Sequence, residues 1–445
     1  MFGFKFLGNT HLPHLKSTQG MAPVRMTPPT EVLIPMCQHI GAPATPIVKV
    51  GDEVKVGQII AQESGFVSAS IHASVSGKVT KLDTTLKFNG AIVPAIRIAS
   101  DGLMTPYEGL QAPTLNNVDD LIAAARECGL VGLGGAGFPT AVKLDALKTG
   151  TIHTMVINGA ECEPYITGDA RMMLDHSDLI AEGVGLFSRL APDIKNYIIG
   201  IEKNKPECIK EMKRVFQDNN AVNVQALPMR YPQGAEKVLI RNTTGQTVPE
   251  GKLPKDIGVI VINVTTLATL ASFAKTGMPL VERCVTVDGS AIQEPKNVIV
   301  PIGTSISDVI AFAGGFSQDP GKVILGGPMT GNTVYSLDEP VVKTTGAVLA
   351  LSPADSKECE PSACIHCGKC VDACPHLLNP TAFNKAMAIE NTEEKMAVLD
   401  ELSVHMCMEC GCCSYVCPAN RPLSETNKLA KNALRDYKAY KASLK

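Results

Sequence analysis

Two cysteine runs in the last quarter of the chain carry the clearest chemical signal in this 445-residue sequence. Both have the spacing C-x2-C-x2-C-x3-C-P: Cys364, Cys367, Cys370, Cys374 and Pro375, then Cys407, Cys410, Cys413, Cys417 and Pro418. Three cysteines two residues apart wrap one corner of an iron–sulfur cube, and the fourth lies too far along to close the same cube. The spacing therefore predicts two [4Fe–4S] clusters with crossed ligands: Cys364, Cys367, Cys370 and Cys417 for one, and Cys407, Cys410, Cys413 and Cys374 for the other.

Zinc and disulfides are the competing interpretations of these cysteines. A zinc site needs four thiolates at two pairs of positions, which two matched runs of four do not provide. The remaining cysteines form an odd, scattered set unlike a secreted disulfide framework: Cys37, Cys128, Cys162, Cys208, Cys284, Cys359 and Cys412. Since clusters of this kind carry single electrons, the rest of the chain should supply and receive electrons.

Composition excludes several classes of function. The net charge is −3 and basic residues form no long run, so nucleic acid is not an expected partner. Nowhere do about eighteen apolar residues follow one another, so no transmembrane helix is expected. The first residues contain no apolar core of signal-peptide length. We expect a cytosolic protein, which other subunits would have to hold if it works at a membrane.

The first hundred residues divide into an irregular arm, 1–26, and a β-rich domain, 27–100. His11 and His14 in the arm could bind a metal, although a surface or interface arm is favoured because no carboxylate or cysteine lies beside them. VKVGDEVKVGQIIAQ and SVSGKVTKL resemble the barrel-sandwich fold of lipoyl and biotinyl carrier domains. Carriers bear a modified lysine, but the corresponding 65–73 stretch has none. A scaffold is therefore favoured over a carrier.

Small residues dominate the stretch GLVGLGGAGFPTAVKL, residues 129–144. Its G-x-G-x-x-G pattern suggests a Rossmann fold only where a strand immediately precedes it. Here an amphipathic helix over 117–128 precedes it, and the strand TMVIN, 154–158, follows. The glycines still allow a flat ring or a phosphate close to the backbone. Lys143, one turn into the next helix, would supply a positive charge.

Polar residues follow directly on that strand, in the stretch INGAECEPYITGDARMM. Asn158, Glu161 and Glu163 stand where ligands of α/β sheets are usually bound. A solvated turn is the alternative interpretation, and the nearby glycine loop favours a site. Alternating helices and strands continue to about residue 276, which indicates an α/β sheet with its site at the strand ends.

Four motifs in this region, GLGGAGFPTAVK, NGAECEP, YPQGAEKVL and VINVTTLATL, resemble the flavin subunit of respiratory complex I in type and order. The resemblance covers about 150 residues and implies non-covalent FMN with NADH as substrate. It implies FMN contacts at Gly132, Gly134, Lys143, Asn158, Glu161, Gly234, Glu236, Asn263 and Thr266. It implies a nicotinamide nucleotide near Gly135, Phe138, Glu163 and Tyr231, with Glu163 as the candidate catalytic residue.

The chain departs from that family at four motif positions. Ala160 and Ala235 replace acidic residues, Ile262 replaces an asparagine, and Thr265 replaces a glutamate. The positions expected to contact the flavin ring are retained. The carboxylate missing at Ala235 lies on the nucleotide side, so the mode of nucleotide binding is expected to differ.

The resemblance and the patterns together predict a multidomain fold of α/β and β modules. The expected order is the barrel-sandwich, an FMN/NADH-binding α/β domain over 115–276, a β-grasp domain over 281–335, a helical two-cluster module over 355–425 and a helical tail over 426–445. The β-grasp domain resembles soluble-ligand-binding domains, although a spacer role is favoured. His366 and His376 are expected beside the clusters or at the surface, rather than as ligands.

This order of modules resembles the C subunits of the Rnf complexes, membrane-bound ferredoxin:NAD oxidoreductases that move Na⁺ or H⁺. The resemblance implies a peripheral subunit on the cytoplasmic face of the membrane, with membrane subunits and a ferredoxin-like subunit as partners. It implies hydride exchange between NAD(H) and FMN and single-electron exchange with the clusters. A cobalamin reductase of bacterial microcompartments and a non-enzymatic electron-wiring subunit are the alternatives.

Overall fold

The computed structural model describes residues 8–86 and 90–444. Residues 1–7 of the expected arm and 87–89 of the barrel-sandwich domain lie outside the described ranges. Within those ranges, no helix is both long enough and apolar enough to cross a membrane.

The barrel-sandwich domain consists of two small sheets that face one another. Its strands are β2 (Glu31–Pro35), β3 (Thr45–Pro46), β4 (Glu53–Val54), β5 (Ile59–Gln62), β6 (Ile71–His72), β7 (Gly77–Leu86) and β8 (Ile92–Ser100), after a short β1 (Val24–Arg25) in the arm. The sheets have the orders β2-β8-β7-β4 and β3-β5-β6. Alternate apolar side chains meet between them, with Ile34, Ile60 and Ile96 fully buried.

The α/β domain contains a four-stranded parallel sheet of order β11-β10-β9-β12. Its elements are α1 (Val118–Glu127), α2 (Thr140–Leu144), β9 (Thr154–Gly159), α3 (Gly168–Asp175), α4 (Ser177–Leu190), β10 (Asn196–Glu202), α5 (Pro206–Val215), β11 (Val222–Leu227), α6 (Glu236–Thr244), β12 (Val259–Asn263) and α7 (Val264–Thr276). The glycine loop lies between α1 and β9, in the expected order helix, loop, strand. The adjacent parallel strands β9 and β12 end together, with Asn158 opposite Asn263.

A six-stranded mixed sheet, order β1-β14-β13-β17-β15-β16, forms the β-grasp domain. Its elements are β13 (Glu282–Asp288), β14 (Lys296–Pro301), α8 (Ile306–Phe312), β15 (Lys322–Leu325), β16 (Asn332–Thr333) and β17 (Ala347–Leu351). The sheet extends beyond the expected range of 281–335 at both ends. β1 comes from the arm, and the buried strand β17 pairs with both β13 and β15.

The cluster module is made of short helices and ends in one long helix. Its helices are α9 (Lys369–Asp372), α10 (Pro380–Ala386), α11 (Thr392–Glu401), α12 (Cys412–Tyr415) and α13 (Leu423–Ser443). Phe383, Leu399 and Leu434 form the core in which α10 and α11 pack against α13. Residues 426–443 of the expected tail are thus part of a helix that packs against the module.

The arm contacts three modules of the chain. Thr10 exchanges backbone hydrogen bonds of 2.9 Å with Tyr231 of the α/β domain, and Ser17 donates a 2.5 Å hydrogen bond to Asp288 of the β-grasp domain. A Cβ on Gly8 would clash with the carbonyl oxygen of Cys374 in the cluster module. The arm is therefore an interface within the chain.

Lys343 lies fully buried where the barrel-sandwich, α/β and β-grasp domains meet. Its ammonium group donates hydrogen bonds to the carbonyl oxygens of Ser70 (2.6 Å) and Gly129 (2.7 Å). Burial lowers the pKa of Lys343 to about 7. Two titratable neighbours are also buried: burial lowers the pKa of His72 to about 3 and raises that of Cys128 to about 12.

Replacing Lys343 with Met should remove a pH-dependent part of the stability of this junction. Between a folded pKa of about 7 and the ordinary value of 10.5, the unfolded chain binds a proton that the folded protein does not. Stability from this group therefore rises with pH across that window, by up to about 1.4 kcal/mol per pH unit. When the urea midpoint of unfolding is plotted against pH from pH 7 to pH 10, the slope should be shallower for Lys343→Met than for the wild type. The exposed Lys49→Met serves as the control, and equal slopes for wild type and Lys343→Met would contradict this assignment.

Candidate functional site

A cleft of about 1020 Å³ lies where the four modules meet. The glycine loop and the strand ends of the α/β domain form one wall, and the barrel-sandwich, β-grasp and cluster modules contribute the others. Nine residues that the sequence predicted as FMN or nucleotide contacts line it: Gly134, Gly135, Asn158, Glu161, Glu163, Tyr231, Gly234, Glu236 and Asn263. A cleft of this size suits a nucleotide cofactor together with part of a second nucleotide.

Hydrogen bonds hold the first residues of the glycine loop in place, whereas Gly135 in the middle of the loop is open to solvent space. Gly132 donates a 2.8 Å backbone hydrogen bond to Phe138, and Leu133 donates a 2.9 Å bond to the Thr266 hydroxyl. A Cβ on Gly134 would press against Asn263, and Gly135 has a φ of 133° that favours glycine. Gly132, Phe138 and Thr266 therefore shape the loop without lining the cleft.

Lys143 also lies outside the lining of the cleft. Its ammonium group donates to the carboxylate of Glu236 (2.8 Å) and to the carbonyl oxygen of Val261 (3.1 Å). The sequence predicted that Lys143 would supply charge for a phosphate. The geometry instead directs this charge to Glu236, which itself lines the cleft.

Two buried ammonium groups hold the 160–166 loop, which carries the predicted acidic residues. Lys16 of the arm donates 2.9 Å hydrogen bonds to the carbonyl oxygens of Glu161 and Glu163, and also bonds that of Ile166. Lys205 donates to the carbonyl oxygen of Ala160 at 2.6 Å. These bonds stabilise a loop in which Glu161 has an unfavourable positive φ of 45°.

Glu161 presents a buried carboxylate to the cleft. One oxygen accepts a 2.6 Å hydrogen bond from the amide of Asp169. The other, Oε2, has no hydrogen-bond partner among the described residues and lies 3.8 Å from the Lys16 ammonium. Burial raises the pKa of Glu161, and the positive charge of Lys16 opposes that rise. A buried acceptor without a donor fits a ligand that carries hydroxyl or N–H groups.

Glu163 joins the α/β domain to the β-grasp domain. Its carboxylate accepts hydrogen bonds from the Thr330 hydroxyl (2.6 Å) and the Met329 amide (3.1 Å). The Tyr231 hydroxyl approaches it at 3.5 Å. Burial raises the pKa of Glu163. The predicted catalytic carboxylate is thus already engaged, and its orientation depends on the β-grasp loop.

Several residues at the site were not predicted from the sequence. They are Lys16, Lys205, Asp169, Arg283, Gln38, Met329 and Thr330. Their contacts join distant parts of the chain: Lys16 and Glu161 are 145 positions apart. A local motif gives no signal for such pairs, because only the packing of separate domains brings them together.

The second predicted set of cluster ligands lines one cavity: Cys374, Cys407, Cys410 and Cys413. Burial raises the pKa of Cys413 to about 12, and repulsion from the other three thiols contributes to the rise. Cys374 accepts a 3.3 Å hydrogen bond from the amide of Leu378, and Cys413 a 3.8 Å bond from the Asn427 amide group. Donors of this kind stabilise thiolate ligands.

Three members of the first predicted set also lie near one another. Cys370 and Cys417 pack around Leu423. Burial raises the pKa of Cys370, with repulsion from Cys417 and Cys364 as further causes. Cys367 is exposed, as is the neighbouring Ile365.

Across residues 8–86 and 90–444, no three His, Cys, Asp or Glu side chains are gathered as they would be around a single metal ion. A single zinc holds its sulfur ligands within about 2.3 Å of itself. A four-iron cube holds its cysteines further apart, since each sulfur binds a different corner. Four of the predicted ligands line a single cavity, and this arrangement fits a cluster that takes ligands from both cysteine runs.

Four domain families match successive parts of the chain. The RnfC barrel sandwich hybrid domain matches residues 4–103 and the Nuo51 FMN-binding domain matches 125–272. The SLBB domain matches 284–333 and the 4Fe-4S dicluster domain matches 360–421. These matches confirm the predicted fold class and the predicted cofactors, FMN and [4Fe–4S] clusters. The fold and site thus define an iron–sulfur flavoprotein subunit.

Curated relatives give the family. The C subunit of the proton-translocating ferredoxin:NAD(+) oxidoreductase complex of Clostridium ljungdahlii is 43% identical over 85% of this chain and 83% of its own. The Na(+)-translocating counterpart of Acetobacterium woodii is 42% identical over 84% and 85%. The C subunit of the ion-translocating oxidoreductase complex of Rhodobacter capsulatus is 39% identical over 86% and 74%. The chain belongs to this family, the C subunits of the Rnf-type ion-translocating oxidoreductase complexes, which confirms the predicted resemblance and favours neither alternative function.

Solved structures with a similar fold include an NAD+-reducing [NiFe]-hydrogenase. Its H2-reduced form has a TM-score of 0.51 and 19% identity, over 71% of this chain and 61% of that chain. The air-oxidized form has the same TM-score and identity over 75% and 64%. At this identity the likeness concerns the fold alone.

Replacing Lys16 with Met should raise the pKa of Glu161 further, because it removes a positive charge 3.8 Å from the carboxylate. The titration midpoint of Glu161 can be measured from the infrared band of its carboxyl group, which is identified as the band that disappears in Glu161→Gln. We expect Lys16→Met to shift this midpoint to higher pH and Lys16→Arg to restore it in large part. Amide hydrogen exchange in the 160–166 loop should also accelerate in Lys16→Met. An unchanged midpoint would show that the charge of Lys16 does not act on Glu161.

Proposed function

We propose that this chain is the nicotinamide-nucleotide-reacting subunit of a membrane-associated ferredoxin:NAD⁺ oxidoreductase that translocates Na⁺ or H⁺. One observation carries the proposal: a cleft of the FMN-binding domain is lined on one side by Glu161 and Glu163 and on another by Cys410 of the dicluster module. One chain therefore places a nucleotide site beside a cluster ligand. Bound FMN supplies the conversion between paired and single electrons.

The residues of the α/β domain would bind the flavin from three directions. The glycine loop allows a ring to approach its backbone closely. Asn158 and Asn263 stand at adjacent strand ends, and Glu161 offers a carboxylate oxygen that has no hydrogen-bond donor among the described residues. Lys143 acts indirectly, because its ion pair orients Glu236 toward the cleft. Gly132 and Thr266 keep the loop in place.

Glu163 and Tyr231 would face the nicotinamide nucleotide, together with Gly135 and the loop position of Phe138. Glu163 is bound by Met329 and Thr330, so the β-grasp domain sets the direction of this carboxylate. Its raised pKa suits a group that binds a neutral amide or hydroxyl of the substrate. The domain thereby takes part in nucleotide binding as well as spacing the modules.

The two ligand sets would have different positions in the electron path. Cys410 lines the cleft and packs near Tyr231 and Cys162. Cys367 and Ile365 lie exposed, with Ile365 67% accessible. The set with Cys410 thus adjoins the flavin site, and the set with Cys367 faces a redox partner. In the exergonic direction, electrons pass from reduced ferredoxin through other subunits to this face and leave on NAD⁺.

The partners follow from membership of a multisubunit complex. We infer peripheral attachment on the cytoplasmic face of the membrane, through membrane subunits of the complex and a ferredoxin-like subunit. Ion movement would take place in those other subunits. NADH added to the purified protein loaded with FMN and iron–sulfur clusters tests the core of the proposal. Flavin bleaching followed by cluster reduction supports it, and cluster colour without nucleotide-driven bleaching contradicts it.

The crossed ligation predicts the effect of two cysteine substitutions. Cys374→Ser should damage the cluster of Cys407, Cys410 and Cys413, because all four thiols line one cavity. Cys417→Ser should damage the other cluster instead. Iron content and electron paramagnetic resonance of the two variants distinguish the clusters. Loss of the cluster of Cys364, Cys367 and Cys370 in Cys374→Ser would exclude the crossing.

Glu163→Gln should retain FMN and slow reduction by NADH, on the order of tenfold to a hundredfold, because nucleotide placement depends on this carboxylate. Flavin content and stopped-flow bleaching measure the two effects separately. Thr330→Val is the matched variant, since it removes one hydrogen bond to Glu163 and keeps the charge. We expect it to raise the KM for NADH with a smaller change in kcat. Full-rate reduction in Glu163→Gln would show that this carboxylate only joins the two domains.

A further inference from the structure

Arg283 is a buried cation to which the proposed flavin and nucleotide contacts assign no role. It lies in β13 of the β-grasp domain, is only 6% exposed and lines the cleft. Its guanidinium donates long hydrogen bonds to the carbonyl oxygens of Leu133 (3.3 Å) and Thr345 (3.4 Å). Among the described residues, it forms no ion pair at 4.0 Å or less.

A guanidinium in this position should have an anionic partner. Burying a charge is costly unless the charge is paired and hydrogen-bonded. Asp169 is a nearby acid whose negative charge favours the charged guanidinium, while its carboxylate accepts hydrogen bonds from Asn263 (2.7 Å) and Thr265 (2.6 Å). An anion in the cleft would be a second partner, in direct contact with the guanidinium. Because Leu133 belongs to the glycine loop, the bond to its carbonyl holds Arg283 against that loop.

Gln38 of the barrel-sandwich domain adds an unused donor on the same side of the cleft. Its Oε1 accepts a 3.0 Å hydrogen bond from the Lys343 amide, while its Nε2 is buried without a hydrogen-bond partner among the described residues. Gln38 is 3% exposed and lines the cleft. Gln38 and Arg283 both bond the turn from Lys343 to Thr345, Gln38 at the Lys343 amide and Arg283 at the Thr345 carbonyl oxygen.

The other basic side chains of the cleft are less suited to bind an anion. Lys143 is engaged with Glu236 and does not line the cleft. Lys428 lines it from α13 but its side chain is exposed. The His39 ring accepts a hydrogen bond from the amide of Ala69. Among the described residues of the cleft, Arg283 combines burial, a forked set of donors and contact with the glycine loop.

We propose that Arg283 and Gln38 form a phosphate-binding subsite at the junction of the β-grasp and barrel-sandwich domains. The ligand is a nucleotide phosphate beside the glycine loop, either the monophosphate of FMN or the pyrophosphate of the nicotinamide nucleotide. The inference rests on the proposed function and extends it, since it assigns binding residues to two domains outside the flavin domain. A planar guanidinium with an adjacent amide donor suits phosphate oxygens.

Binding measurements on the cluster-loaded, flavin-depleted protein test this assignment. FMN and riboflavin differ only in the phosphate, so the ratio of their dissociation constants isolates its contribution. We expect Arg283→Met to reduce the preference for FMN by roughly ten- to a hundredfold and to leave riboflavin binding unchanged. Gln38→Met should reduce the preference for FMN less than Arg283→Met does, and Arg283→Lys should retain part of this preference.

A parallel titration with ADP-ribose distinguishes the two sources of phosphate. If Arg283 serves the nicotinamide nucleotide, Arg283→Met should weaken ADP-ribose binding by a similar factor while the FMN preference stays. Arg25→Met is the control, because this arginine pairs with Glu282 at the surface of the same sheet.

The proposal is overturned if both Arg283→Met and Gln38→Met keep the wild-type FMN preference and ADP-ribose affinity. If Arg283→Met does not fold, Arg283→Lys and Gln38→Met decide the question by the same ratios. Wild-type protein that binds neither FMN nor ADP-ribose would instead contradict the proposed function itself. The two failures are therefore distinguishable.

Discussion

The site depends on two buried ammonium groups beneath one loop. Lys16 and Lys205 donate hydrogen bonds to the carbonyl oxygens of Ala160, Glu161 and Glu163 in the 160–166 loop. A buried carbonyl oxygen needs such a donor. This fixes the backbone from which Glu161 and Glu163 reach the cleft. Since Lys16 belongs to the arm, the docked arm contributes directly to the backbone of the site. The positive charge also limits the rise in the Glu161 pKa that burial causes.

The cleft is a product of domain packing rather than of one domain. The α/β sheet provides the strand ends, where Asn158 and Asn263 meet because parallel strands end at a common edge. The β-grasp domain binds Glu163 through Thr330, and the cluster module adds Cys410. Each module buries polar groups that the others satisfy. A substitution in the barrel-sandwich, β-grasp or cluster module can therefore change the lining of the cleft without touching the flavin domain.

Local sequence predicted most of the architecture and the metal chemistry. Cysteine spacing alone indicated two clusters, because ligation of a cube requires a short loop and one distant cysteine. Gly135 has a left-handed φ that glycine adopts readily, and the high glycine content of this stretch therefore indicated the loop from the sequence. Family resemblance supplied the cofactors, and the module order was correct. The full extent of the β-grasp sheet was harder to predict. Its strand β17 pairs with β13 and β15, and a local sequence pattern does not encode such pairing.

By itself, then, the sequence determined which residues could do chemistry: the eight cysteines, the glycine loop and the acids after β9. Tertiary structure alone decided how their charges are used. Lys143 lies in a local motif, yet its ammonium turns to Glu236. Lys16 and Arg283 lie in no motif, yet one supports the acidic loop and the other faces the cleft. The physical reason is that burial and charge pairing depend on contacts between domains, and those contacts join residues more than a hundred positions apart.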